Sequence, residues 1–230
     1  MVYNPGCMKK ISVIPGLALL FLSAGFSSVS VSPQEAARNI EKNLASLRSL
    51  QADFEQSYFS ASLATPLLER GRLFLQKPDR MRWEYREPER NIYVYKEGVS
   101  LAYFPEDNQL FRHTLSPEEK DWAVFSLLTG RAGLIETYTI EAAEFPTDKK
   151  ASVQLKLIPR EEGELSYILI ETDPRTWLLE KAVFLDWAGN KQEFRFSGYK
   201  LNPRLDAGLF DFKAPPGCEI IDDLSPEKNR

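Results

Sequence analysis

Between residues 33 and 47 apolar side chains recur at helical spacing. Ala36, Ala37, Ile40, Leu44 and Leu47 fall on one face, opposite Arg38, Glu41 and Lys42. Ser32-Pro33-Gln34-Glu35 in front of them is a capping box with Pro at the first helical position, which predicts a helix starting here. After Ser49 the period changes to two, through Leu50, Ala52, Phe54, Gln56 and Tyr58. Further alternating runs follow at 68–76, 80–86, 91–96, 99–104, 109–114, 134–145, 151–158, 165–171, 177–187, 191–200 and 209–212. Turn signals separate them, among them Lys77-Pro78-Asp79, Glu97-Gly98, Asp173-Pro174 and Ala188-Gly189-Asn190. Strands at this short, even spacing predict an antiparallel meander closing toward a barrel. No run of helices alternates with them, which sets a doubly wound parallel sheet aside.

One segment breaks the alternation. Ser116-Pro117-Glu118-Glu119 is a second capping box, followed by Trp122, Val124, Phe125, Leu127 and Leu128, with Gly130 as the stop. A short, strongly apolar helix between strands has to lie on the sheet or in its mouth, so it is a candidate lid. The tail from Asp222 to Arg230 is polar and reads as frayed.

The front of the chain is patterned differently. Lys9-Lys10 precedes a largely apolar run from Ile11 to Phe26, and small residues follow, with Ser28 and Ser30 at −3 and −1 of a cleavage site after Ser30. This is the layout of a secretory signal peptide over residues 1–30, leaving one domain at 31–230. The run is short of the roughly 20 residues that span a bilayer, which weighs against an uncleaved anchor. Phe26 stands where a bacterial lipoprotein would need its cysteine. Removing residues 1–30 takes away Lys9, Lys10 and Cys7, so the net charge of −4 becomes −6 and Cys218 is left alone, unable to form an internal disulfide. No basic cluster sits beside Cys218 in sequence to activate it, so it reads as a plain side chain.

Charge and composition narrow the function classes. An acidic balance argues against nucleic acid, and a single histidine, His113, with two cysteines offers too few soft ligands for a zinc or iron–sulfur site. There is no Gly-x-Ser-x-Gly elbow and no glycine-rich phosphate loop, and the acidic pairs Glu161-Glu162 and Asp222-Asp223 fall in loop-like or terminal stretches. The expectation is a non-enzyme with no cofactor and no metal. The informative stretch is Gly71 to Pro88, where Met81, Trp83 and Tyr85 share one strand face and Arg80, Arg82, Glu84 and Arg86 the other. With Leu73 and Leu75, that apolar face under an apolar helix would hold a greasy ligand if the sheet is hollow. Periodicity does not distinguish a hollow core from a filled one.

These motifs, in order, resemble the outer-membrane lipoprotein carrier family, the LolA-like periplasmic chaperones. Phe54-Glu55-Gln56 is similar to its F-x-Q. Gly71-x-Leu73-x-Leu75-x-Lys77-Pro78-x-Arg80-x-Arg82-Trp83-x-Tyr85-x-x-Pro88 is similar to its most recognisable block. Glu97-Gly98 with Leu101, Leu127-Leu128-Thr129-Gly130, Asp186-Trp187-Ala188-Gly189-Asn190 with Phe194, and Phe210-x-Phe212-x-x-Pro215-x-Gly217 follow in the same order. The resemblance implies an unclosed antiparallel β-barrel, a half-barrel of about 11 strands, with an N-terminal helix and a short lid helix. It implies a monomeric periplasmic carrier of acylated lipoproteins, loaded by an inner-membrane ABC transporter and unloaded by an outer-membrane receptor. The expected acyl-chain cavity is Leu73, Leu75, Met81, Trp83, Tyr85, Leu101, Trp122, Phe125 and Leu128.

Two positions depart from the family pattern. Lys77 stands where Arg is common before the proline and helps hold the lid closed, so Lys77 is the expected, weaker latch. Ala102 stands where Trp often follows the leucine, which points to a larger cavity or a different lipid cargo. The alternatives are a periplasmic carrier of another lipid and a protein-binding half-barrel of the stress-sensor type.

Overall fold

The computed structural model describes residues 31–60, 65–115, 123–131, 133–149 and 151–223, and within them twelve strands join in one sheet. The strands are β1 (Ser49–Phe59), β2 (Leu67–Gln76), β3 (Arg80–Glu87), β4 (Ile92–Lys96), β5 (Val99–Phe104), β6 (Gln109–Thr114), β7 (Tyr138–Ala142), β8 (Val153–Pro159), β9 (Leu165–Thr172), β10 (Leu179–Asp186), β11 (Lys191–Leu201) and β12 (Glu219–Asp223). Their spatial order is β12-β6-β5-β4-β3-β2-β1-β11-β10-β9-β8-β7. The two ends, β12 and β7, are edges, so the sheet is an unclosed barrel, as expected. Neighbours are antiparallel except β12, which runs parallel to β6. Among the described residues three α-helices accompany the sheet: α1 (Pro33–Ser46), α2 (Ala123–Thr129) and the single turn α3 (Leu134–Thr137).

Local chemistry accounts for these elements. Ser32 Oγ accepts the Glu35 amide at 3.2 Å, with Pro33 at the first helical position, and α1 buries Ala36, Ala37, Ile40 and Leu44. Along β1, Leu50, Ala52, Phe54 and Gln56 are buried while Gln51, Asp53, Glu55 and Ser57 between and after them are not, the alternation of a strand with one covered face. Register carries that face across the sheet. Ala52 opposes Leu73, Leu73 opposes Trp83, and Trp83 opposes Tyr93. On the other limb Phe194 opposes Ala182 and Ala182 opposes Ile170. Leu73, Trp83, Phe194, Ala182 and Ile170 form one apolar cluster with residues of α1, α2 and α3, and Tyr93 packs against it, so the sheet wraps around it and the helices lie on its concave side.

The convex side is covered differently. After β11 the chain runs back over it as a strap. Pro203 O accepts Ser49 Oγ at 2.7 Å and Leu209 O accepts the Arg82 guanidinium at 3.1 Å. Asp211 accepts Lys96 Nζ at 2.6 Å, and the rings of Tyr103 and Phe212 meet at 5.0 Å. Residues 207–210, overlapping the run expected as a strand at 209–212, form a 3-10 turn that buries Phe210 against β3 and β4. The strap ends by adding β12 to the edge of β6, so residues 219–223, part of them read as a frayed tail, are a strand. The run 134–145 divides into α3 and β7, because Leu134 packs into the core at a helical turn before the alternation begins. The segment expected as signal peptide, 1–30, and the capping box 116–119 lie outside the described residues.

A concave apolar face under two helices

Seven of the expected cavity residues come from three elements. Leu73 and Leu75 on β2 and Met81 and Trp83 on β3 are buried side by side on the concave face. Phe125 and Leu128 on α2 are buried above the sheet, and the Phe125 ring meets Tyr95 of β4 edge-on at 4.7 Å. Tyr85 is half-buried on the same face and donates its hydroxyl to Gln56 Oε1. The structure brings these seven residues together. Trp122 lies outside the described residues.

Leu101 stands elsewhere. Its cross-strand partner is Val94, which opposes Arg82, so it faces the convex side with the strap and not the cavity. Its neighbour Ala102, opposed by Tyr93 and Phe111, takes the concave face instead. β5 is half-buried along its whole length, with apolar residues on both sides.

Lys77 also differs from expectation. Its ammonium donates to the carbonyl of Leu44 at 2.8 Å, in the last turn of α1 rather than in the short helix α2. Burial lowers its pKa from the ordinary lysine value of 10.5. The two helices meet at the same residue. Gly130, past the end of α2 with φ +65°, lies so close to Leu44 that a Cβ there would stand 3.1 Å from the Leu44 Cβ. Leu44 therefore joins three pieces: the loop after β2 through its carbonyl, α1 through its backbone, and the end of α2 through its side chain.

Sequence reasoning missed much of the wall. Phe54 meets Trp83 and Tyr85 at 4.7 and 4.9 Å, Trp83 meets Phe194 at 5.5 Å, and Tyr85 meets Tyr93 at 5.3 Å. On the far limb Leu155, Leu157, Ile168 and Ile170 are buried completely or nearly so. Their alternation was visible; which face they shared with Trp83 depended on pairing.

Polar chemistry on this face is sparse. Glu69, opposite Gln56, has its pKa raised by burial and by Glu89, and burial with the Glu69 charge raises Tyr85 and Tyr93. Among the described residues no group of three His, Cys, Asp or Glu side chains converges to hold a metal ion. One more buried polar cluster was missed. Glu171 and Lys181, 1% and 4% exposed, lie 3.6 Å apart on the convex side of β9 and β10. Thr147 Oγ1 and Gln154 Nε2 donate to Glu171, and Pro146 O accepts Lys181 Nζ, so the loop 143–149 completes the pair. Two surface cavities lie outside the helix-covered interior. One of about 410 Å³ sits among Asp53, Glu55, Arg70 and Arg195. The other, about 460 Å³, opens at the end of the concave face between Tyr58, Phe184 and Trp187.

Residues 45–213 match the family described as outer membrane lipoprotein carrier protein LolA. A protein of Coxiella burnetii named outer-membrane lipoprotein carrier protein is 26% identical over 215 residues, 93% of this chain and 99% of that one. One of the same name from Methylococcus capsulatus is 28% identical over 209 residues, 90% and 96% of the two chains. Among solved structures, an uncharacterized conserved protein from Thermus thermophilus superposes with a TM-score of 0.54 at 16% identity, covering 82% of this chain and 98% of its own. The half-barrel, the ordered motifs and the match over most of its length agree: the chain belongs to the outer membrane lipoprotein carrier protein (LolA) family.

Proposed function

We propose that this protein is a periplasmic carrier that binds the acyl chains of lipoproteins against its concave face, taking them from an inner-membrane ABC transporter to an outer-membrane receptor. The observation that carries the reading is the continuous apolar face from β3 to β8, covered by helices that reach the sheet mainly through apolar packing. Three acyl chains carry on the order of 40 methylenes, and at about 0.8 kcal/mol each their exposure to water costs tens of kcal/mol. A soluble carrier has to cover that surface and still release it, which favours broad apolar lining with few polar anchors. Aromatic edges and aliphatic side chains dominate this face. Of its few polar members, Gln56 and the Tyr85 hydroxyl satisfy each other.

Access to the face requires the helices to move. The Leu44 junction makes α1 and α2 a linked roof, and Lys77 is the latch that ties it to the sheet. One ammonium on one carbonyl is a weaker tie than a planar guanidinium fork offers. Residues 1–30 supply the export signal on this reading. It involves no bond making, so the protein acts without a catalytic residue. The test is loading: purified residues 31–230 should retain a triacylated lipopeptide through gel filtration and fail to retain the same peptide without its chains. Equal elution of both peptides in the free fraction would refute it.

A further inference from the structure

One end of the barrel carries features that acyl binding does not use. Trp187, in the turn between β10 and β11, is 73% exposed, the most exposed large apolar side chain among those described. It is nevertheless held in place. Its Nε1–H donates to Gly163 O at 3.0 Å, bridging to the turn between β8 and β9. Its own turn is fixed by Asp186, whose carboxylate accepts the Asn190 backbone and side-chain amides, both at 2.8 Å. An exposed indole fixed at low entropy is the kind of residue that anchors protein interfaces.

The surroundings give it an acceptor and a charge. Beside Trp187 lies the cavity of about 460 Å³, floored by Tyr58, Leu165 and Phe184 and edged by Glu164 and Asp186. Phe184 belongs to the core, so this recess continues the concave face out to its rim. Leu67, paired with Tyr58 on the same face, adds one more exposed apolar side chain, 48% exposed. Glu161, Glu162 and Glu164 stand exposed in the bridged turn, and among the described residues none of them takes part in an ion pair. The nearby cations are already engaged. Arg160 donates to Ile135 O, and Lys191 pairs with Glu193 and stands 3.9 Å over the Phe59 ring. The rim is therefore apolar at its centre and negative around it.

We infer that the rim around Trp187 is a docking surface for a protein partner that presents an apolar side chain between lysines or arginines. The apolar side chain would enter the recess against Trp187, and the cations would face the free carboxylates of the 161–164 turn. Charge decides against the main alternative occupant, since an anionic bilayer surface is repelled by the same carboxylates. The inference rests on the carrier reading only for the identity of the partner. A protein that loads or unloads the carrier must reach an end of the concave face, and this end has a built recess.

The test uses the transporter and the receptor of the same bacterium, each purified in detergent and immobilised, with residues 31–230 flowed over them. Trp187→Ala should weaken binding to one of them about 30-fold, the scale of losing one anchoring indole. Replacing Glu161, Glu162 and Glu164 with Gln should slow association and remove most of its salt dependence. Both variants should retain the triacylated lipopeptide as the wild type does, which shows that they fold. Unchanged binding by both variants to both proteins would overturn the inference while leaving the carrier reading intact. So would binding to vesicles of phosphatidylethanolamine and phosphatidylglycerol (about 3:1) that is lost in Trp187→Ala. Failure of the wild type to retain the lipopeptide would instead strike the carrier reading.

Discussion

Gly71 is where the backbone of the central sheet has least room. A Cβ built there would run into the carbonyl oxygen of Glu84 and stand 2.7 and 2.8 Å from two ring atoms of Phe54. The carbonyl belongs to β3, so it moves only if β2 and β3 separate at the register shift between Arg70 and Gly71. Phe54 moves only by giving up its edge-on contacts with Trp83 and Tyr85 at 4.7 and 4.9 Å. Overpacking of this kind costs about 1–3 kcal/mol, and each aromatic contact about 0.5–1.5 kcal/mol beyond its area. Gly71→Ala should therefore destabilise by about 3–5 kcal/mol, a large share of the 5–15 kcal/mol that a typical domain has. In urea, with an m-value of about 2 kcal/mol/M, the unfolding midpoint should fall by about 1.5–2.5 M. Gly163→Ala, where nothing lies within 4 Å of the added Cβ, is the matched control and should stay within about 0.5 kcal/mol of wild type. Equal midpoints for the two variants would refute the packing argument.

Three other outcomes follow from the geometry. Lys181→Met leaves the Glu171 carboxylate buried without its cation, so urea unfolding should show a loss of about 3–5 kcal/mol, whereas the double variant Glu171→Leu/Lys181→Met should recover most of it. Lys77→Met removes the donor to Leu44 O, which still accepts the Leu47 amide at 3.1 Å, so stability should change by less than about 1 kcal/mol while amide exchange in the last turn of α1 quickens. Burial lowers the Lys77 pKa below 10.5. The charged form therefore carries a folding penalty that is full below the lowered pKa and fades as pH rises through it. Wild type should gain stability relative to Lys77→Met across that alkaline window, and a constant difference would contradict the assignment. Ala102→Trp puts an indole on the concave face between Tyr93 and Phe111 and should reduce retention of a triacylated lipopeptide at unchanged urea midpoint; equal retention would show that acyl chains do not use this limb.

How much of this could be read from the residues depended on the range of the cause. The first helix was readable because its signal is local: Ser32, Pro33 and Glu35 act within four residues of one another. Strand positions were readable because alternation is local too. Which face of a strand turns inward is set by distant partners, and Leu101 shows the consequence. Both faces of β5 carry apolar residues, one toward the cluster and one toward the strap, so alternation alone could not assign it. The strap and β12 were misread for the same reason. Phe210 is buried by contact with strands more than a hundred residues earlier, and the Ile220-Ile221 pair becomes a strand only because β6 offers it an edge. Glu171 and Lys181 are buried through contacts of the loop 143–149, which no local pattern in β9 or β10 announces. In the site, the block from Leu73 to Tyr85 identified one wall, while Phe54, Phe194 and the β8–β10 limb entered only through register.

The central claim is that the concave face holds acyl chains during transfer. The direct measurement is release of a lipoprotein from inner-membrane spheroplasts on addition of purified residues 31–230. The account predicts a soluble one-to-one complex with the acylated lipoprotein and none with its unacylated counterpart. No release in the presence of the matched transporter would contradict it.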